Sequence, residues 1–331
     1  MISSVSLNPS IDRTLELERL EVGGLNRIKK QTDVAAGKGM NVALAAAALG
    51  EEAACIGFMY REGGAMFEAR LHEGGAMGDF VWCDGAVRVN MKVFDREKGE
   101  ITELNASGTP VDEEQMCKMA ALTARQAEKS DALVLTGSLP PGCPVDFYAQ
   151  LAEAAQGSDC RVFLDADGER LRAGLRAKPF LIKPNRYELE LLSGEKLDSL
   201  DSICAAARKL VEGGVKMVAV SMGADGALMT DGKHFIHAPG LRVRVCSTVA
   251  AGDSMIAGLA MGFVRGWSMI EAFRLGVAAA TVRCMTPPDQ LIRAEDCTAL
   301  ANQIVIKALY SRQSGNDLKI KQAIHTFSNQ V

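Results

Sequence analysis

The chain has 331 residues, 48% hydrophobic and 24% charged, with a net charge of −4. These proportions exclude a disordered chain, a collagen-like repeat and a small disulfide-stapled domain. The mild acidity argues against a broad nucleic-acid-binding face, and no apolar stretch reaches the ~20 residues of a membrane-spanning helix. Neither nucleic acid nor a membrane is therefore an expected partner. The first residues show no basic segment followed by an apolar one, so a cytoplasmic location is expected. The nine cysteines include no Cys-x-x-Cys pair and there are four histidines, so neither a zinc site nor a disulfide framework is expected.

In chain order, strand-like apolar runs lie at 2–7, 54–58, 132–135, 161–164, 180–182 and 217–221. Helical patterns lie at 39–49, 113–129, 145–155 and 200–212, then at 253–265, 269–284 and 294–310. Strands alternating with helices, and apolar almost throughout, predict an α/β fold with a mostly parallel sheet covered on both faces. Two stretches break the alternation. The first, 15–32, mixes strand-like residues. The second, 87–104, reads as a hairpin turning at Lys98-Gly99. Its first arm alternates, with Arg88, Asn90 and Lys92 on one face and Val87, Val89, Met91 and Val93 on the other. That pattern suits either an anion site with an apolar backing or a solvated polar face. The tail from 312 to 331 is polar and is expected to pack loosely.

Four motifs can carry chemistry. Ser247-Thr248-Val249-Ala250-Ala251-Gly252-Asp253 leads small residues into an apolar helix. Backbone N–H groups there can approach an anion at the positive end of the helix dipole. Asp253 can then take a proton from a hydroxyl, or simply favour the helix start. Lys183-Pro184-Asn185-Arg186-Tyr187-Glu188 places Asn185 and Glu188 three apart. They can orient waters around Mg²⁺ or form a capping box. Ala36-Gly37-Lys38-Gly39-Met40-Asn41 sets a lysine among glycines at a helix start, and it is not a Walker motif. Ser221-Met222-Gly223-Ala224-Asp225-Gly226 follows a strand and reads as a nucleotide loop or only a hairpin turn.

Taken together and in order, these motifs resemble the ribokinase-like, PfkB-type carbohydrate kinases. Asn8-Pro9-Ser10-Ile11-Asp12 and Gly137-Ser138-Leu139-Pro140 add to the match. Lys38 between glycines, the strand from Arg88 to Lys92, and Asn105 followed by Ser107-Gly108 are similar to the branch that phosphorylates sugar phosphates. The resemblance implies a three-layer α/β/α domain over 1–311 with a small β-sheet lid from segments 12–33 and 87–108. It implies an ATP- and Mg²⁺-dependent kinase of a ketohexose monophosphate, fructose 1-phosphate first and tagatose 6-phosphate second. A catalytically silent sugar-phosphate sensor is the alternative of another class.

The resemblance also implies roles. Asp253 is the base, and the backbone of Ala250, Ala251 and Gly252 forms the anion hole. Asn185 and Glu188 organise Mg²⁺ through water. Lys183, Ser221, Gly223, Gly226 and Thr248 serve ATP. Asp12, Gly37, Lys38, Asn41 and Asn90 hold the sugar, with Arg88, Lys92, Ser138 and Arg27 on its phosphate. The lid implies a homodimer. Three departures stand out: Ala250 and Ala36 replace glycines frequent in relatives, and Pro288 replaces the glycine of a Thr-Pro-Gly.

Overall fold

The computed structural model describes residues 1–311 and 318–322. The chain begins with β1 (Ile2–Ser6), β2 (Ser10–Leu17), β3 (Lys30–Ala36), α1 (Lys38–Ala48), β4 (Ala53–Glu62), α2 (Ala65–Glu73) and β5 (Met77–Ala86). A hairpin of β6 (Arg88–Asp95) and β7 (Glu100–Leu104) follows. Then come α3 (Glu113–Ala127), β8 (Ala132–Thr136), α4 (Phe147–Ala154), β9 (Arg161–Asp165), α5 (Gly168–Gly174), β10 (Leu181–Ile182), α6 (Arg186–Ser193) and α7 (Leu200–Glu212). The last third holds β11 (Met217–Ser221), β12 (Ala227–Thr230), β13 (Phe235–Ala238), α8 (Ala251–Val264), α9 (Met269–Met285), α10 (Ala294–Ala301), β14 (Lys307–Ser311) and β15 (Leu318–Gln322).

Eleven strands form one sheet in the order β15-β14-β13-β12-β11-β10-β9-β8-β1-β4-β5. From β5 to β11 every pairing is parallel; from β11 to β15 every pairing is antiparallel. Helices shield both faces, so β1 and β8 are buried along their whole length. β8 therefore reads as a nearly continuous apolar run, whereas β1 buries three serines, of which Ser3 and Ser4 hydrogen-bond to Ser130 and the Gly39 carbonyl. In parallel α/β sheets the strands' carboxyl ends are where ligands bind. Here those ends carry Ser6, Thr136, Asp165, Ile182 and Ser221.

Gly39 explains how α1 reaches that edge. A Cβ on it would meet the Val5 carbonyl oxygen at 2.6 Å, so only glycine lets the helix start press onto β1. That contact sets Lys38 and Asn41 over the strand ends.

A second sheet, ordered β3-β2-β6-β7, projects from the same edge. Ser10 is in register with both Ala36 and Arg88, at the base of this sheet. Asp12 is opposite Asn90, and Thr14 is opposite Lys92, further out. The alternation expected for 87–104 is realised. Its backing is only partial: Val87 and Val93 are buried, whereas Met91 and Leu104, opposite each other, are exposed.

Two expectations need correction. The helix expected at 294–310 stops at Ala301, and residues from Lys307 form β14 on the free edge of β13. The apolar spacing of 304–309 served a half-buried strand, not a helix face. Leu318–Gln322, expected in a loose tail, is the edge strand β15; the rest of that tail lies outside the described residues. Of the two readings of 221–226, the hairpin turn is present at 223–226, joining the antiparallel β11 and β12. Among the described residues, no helix is long and apolar enough to cross a membrane.

Candidate active site

Asp253 sits in the first turn of α8 and is 5% exposed. Its Oδ2 accepts a hydrogen bond from Asn41 Nδ2 at 2.9 Å. Burial pushes its carboxyl up to about 6; the neighbouring Asp165 adds to the rise, while Lys38, Asn41 and Lys183 oppose it. The result is a carboxylate ionised at neutral pH yet basic enough to accept a proton.

The turn before it is strained. Ala250 adopts φ 63°, ψ 10°, the left-handed region that disfavours any residue with a Cβ by about 1 kcal/mol. The substitution at Ala250 therefore falls where glycine would be relaxed. Ala36 carries no such strain, being an ordinary β3 residue. In the first turn of α8 the Ala251 N–H donates to the Thr248 carbonyl at 3.3 Å, while those of Gly252 and Asp253 have no intrahelical acceptor and point out of the helix start. A Cβ on Gly252 would lie 3.1 Å from Lys183 Nζ, so that ammonium rests against the turn.

Lys183 follows β10 and pairs with Asp165 at 3.2 Å; their side chains are 5% and 4% exposed. Asp165 went unassigned from sequence, although a carboxylate ending an apolar strand at the ligand-binding edge was the available signal. Lys38 opens to solvent from the rim of the cleft. Burial of its surroundings works against its charge, but Asp165, Asp253, Glu188 and Asp167 hold its pKa above the ordinary lysine value.

Asn185 and Glu188 form a full capping box at the start of α6. Asn185 Oδ1 accepts from the Glu188 N–H, and Glu188 Oε2 accepts from the Asn185 N–H, each at 2.8 Å. The capping alternative is thus real. Glu188 nevertheless stays near the centre: burial raises its pKa, the Asn185 N–H opposes that, and Asp165, Lys183 and Lys38 all act on it. A groove of about 410 Å³ opens beside it, lined in part by Asp167, Arg170 and Tyr187. Among the described residues, no cluster of three or more His, Cys, Asp or Glu could hold a metal alone.

On the smaller sheet, Lys92 Nζ pairs with Asp12 Oδ2 at 2.8 Å, and Asn90 Nδ2 donates to Asp12 Oδ1 at 3.2 Å. The Arg88 guanidinium donates to the carbonyls of Ala106 (2.7 Å) and Asn8 (3.0 Å), and reaches Ser138 Oγ at 3.4 Å. Burial lowers its pKa. Arg88 and Ser138 are thus brought together, whereas Lys92 is already matched by Asp12. Arg27 lies exposed on the loop between β2 and β3. Asn8, buried, ties the cluster together. Its Nδ2 faces the Ser107 carbonyl (3.0 Å), Ser138 Oγ (3.2 Å) and the Leu139 carbonyl (3.3 Å).

On the nucleotide side, the Ser221 N–H donates to the Pro184 carbonyl at 3.1 Å, joining the β11 end to the Lys183–Asn185 strand end. A Cβ on Gly226 would meet the Ala238 carbonyl oxygen at 2.0 Å, so this glycine permits the close return of the chain. Gly223 and Thr248 are exposed. The Pro288 loop is anchored by Arg283, whose guanidinium donates to the carbonyls of Thr286, Pro287 and Gln290.

The model of the pfkB family carbohydrate kinases matches residues 5–291. The chain belongs to this family. Among curated proteins, the chain is 35% identical over 315 residues to the 1-phosphofructokinase of Rhodobacter capsulatus, covering 93% of this chain and 98% of that one. It is 35% identical over 283 residues to the 1-phosphofructokinase of Bacillus subtilis, covering 85% and 91%. Among solved structures, phosphofructokinase-2 from Escherichia coli in complex with potassium superposes with a TM-score of 0.84 at 30% identity, covering 91% of this chain and 97% of that one. As a pfkB carbohydrate kinase, the chain is a phosphotransferase that uses ATP.

Proposed function

We propose that this enzyme transfers the γ-phosphoryl group of ATP to fructose 1-phosphate, giving fructose 1,6-bisphosphate. The observation that carries the reading is the buried Asp253 carboxylate. It stands at a helix start beside Lys38 and Lys183, at the sheet edge from which Arg88 and Lys92 project. The kinship to 1-phosphofructokinases supports the acceptor.

Asp253 takes the proton of the acceptor hydroxyl as its oxygen attacks the γ-phosphorus, and the bond to the ADP oxygen breaks. The N–H groups at Ala250, Ala251 and Gly252 stabilise the transferring group, which mainly needs positioning and charge neutralisation. Lys183 serves the nucleotide phosphates, with Ser221, Gly223, Gly226 and Thr248 along the nucleotide. Asp12, Gly37, Lys38, Asn41 and Asn90 hold the sugar. Arg88, Ser138 and Lys92 take its phosphate, the last by giving up Asp12. Arg27 joins them from its exposed loop. Mg²⁺ usually keeps several waters and binds through substrate phosphates plus one or two carboxylates, a donor set that Glu188, with Asn185 through water, fits. When bound it neutralises phosphate charge.

The four-stranded sheet acts as the lid of a kinase domain that runs past the expected end at 311 to include β15. It exposes Met91 and Leu104, and its loop carries Val22 (93% exposed) and Leu25 (80% exposed), which suits a homodimer through the lid. The cytoplasm suits a chain whose nine cysteines are all free thiols. The test is ADP release across fructose 1-phosphate, fructose 6-phosphate, tagatose 6-phosphate and free hexoses. Fructose 1-phosphate should give the highest kcat/KM. Equal kcat/KM for fructose and fructose 1-phosphate removes the sugar-phosphate reading.

A further inference from the structure

Three adjacent parallel strands end side by side at the phosphoryl-transfer centre. β8 ends in Thr136, β9 ends in Asp165 in register with it, and β10 is followed by Lys183. Both oxygens of Asp165 are engaged. Oδ1 takes the Lys183 ammonium at 3.2 Å, and Oδ2 accepts from Thr136 Oγ1 at 3.4 Å. The Lys183 N–H donates to the Leu164 carbonyl at 3.1 Å, fixing the backbone that carries the lysine. At this burial each charge depends on the other for its compensation.

Lys183 is held where a cation is least welcome. Its Nζ lies against the Gly252 turn, which is the positive end of α8. Before a phosphate arrives, Asp165 is the counter-charge bonded to that ammonium. We propose that Asp165 is a positioning residue for phosphoryl transfer, holding the Lys183 ammonium against the Gly252 turn so that the nucleotide phosphates meet it in place. The carboxylate acts through the lysine and not as the base, a role Asp253 already fills. Its charge also reaches Asp253, whose other neighbours are Lys38 and Asn41 on α1 and Lys183 beyond β10. Loss of that charge should make Asp253 a weaker base.

This inference rests on the kinase reading, and its test separates the two. ATP affinity is measured by calorimetry without acceptor, and turnover by ADP release with fructose 1-phosphate. Failure of the wild-type enzyme to turn over any sugar phosphate strikes the function; the variants strike the inference. Asp165→Asn should weaken ATP binding about 10–150-fold, the worth of one charge-assisted contact. It should leave KM for the sugar phosphate within about twofold and move the acid limb of kcat to lower pH. Lys183→Met should weaken ATP similarly, and the double variant should be no worse than Lys183→Met. Thr136→Val, which leaves every charge in place, should weaken ATP binding a few-fold, and it decides the matter if Asp165→Asn does not fold. Unchanged or tighter ATP binding in folded Asp165→Asn overturns the proposal. So does a double variant whose loss is the product of the single losses, or Thr136→Val with wild-type ATP affinity where it is the deciding variant.

Discussion

The carboxyl edge of the large sheet and the four-stranded sheet beside it both carry acid–base pairs, but in different media. Lys183 and Asp165 are 5% and 4% exposed, whereas Lys92 and Asp12 are 21% and 19% exposed. In the first region desolvation makes each charge depend on its neighbour, and one removal leaves another uncompensated. In the second, water competes for both partners, so Lys92 can exchange Asp12 for a substrate phosphate at little cost. The buried region is built to hold a geometry, and the wetter one to change partners. Substitutions in the centre should therefore appear in kcat or nucleotide binding, and substitutions in the lid in the acceptor KM.

The largest effect should come from the centre. Asp253→Asn should cut kcat about 10²–10⁴-fold while ATP still binds. In the wild type, kcat should fall as pH drops through about 6, because the base becomes protonated. The stability sign is opposite. The folded-state pKa lies above the ordinary 3.8, so the fold prefers the neutral acid, and a cost accumulates as pH rises through about 6. Asp253→Asn should therefore melt no lower than wild type at neutral pH. Near-normal turnover in that variant would take the base role away from Asp253.

In the lid, Arg88→Ala should raise the sugar-phosphate KM about 10–150-fold and the ATP KM little. Steady-state kinetics with each substrate varied in turn checks this. Parallel losses on both substrates would erase the contrast between the regions. Glu188 tests their boundary. Gln keeps the reach needed for a capping box, so Glu188→Gln should hold the melting temperature near wild type while raising the Mg²⁺ concentration needed for half activity. A lower melting temperature with unchanged Mg²⁺ dependence would leave only the cap. The smallest effect is expected at Ala250. Ala250→Gly relieves the left-handed strain but adds unfolded-chain freedom, so stability measured by denaturant should change by less than about 1 kcal/mol. A loss of several kcal/mol would mean that the Ala250 methyl packs in a way the backbone strain does not reveal.

Much of the fold was legible. Strands β8, β9 and β11 are largely apolar because helices cover both faces, and that burial is written in residue type; β1, equally buried, carries three serines. The start of α8 was legible because small residues, then Asp253, precede an apolar helix. Other features were not. Asn185 and Glu188 read as a cap or as a metal organiser, and the structure contains the cap. Asp165 is a single letter at a strand end, and its partner Lys183 comes from the next strand. Lys92 read as a free cation because period two gives a face but not the opposing strand, which supplies Asp12.

By itself the sequence determined the parallel α/β class, the chemistry-bearing loops and their order, because those depend on local composition and period. Only the tertiary structure decided which charges meet. It put Asn41 on Asp253, Asp165 on Lys183 and Asp12 on Lys92, and it turned residues from Lys307 into a strand. Each of these depends on an element distant in the chain: a hydrogen bond, an ion pair or a free sheet edge needs a partner that no local pattern encodes.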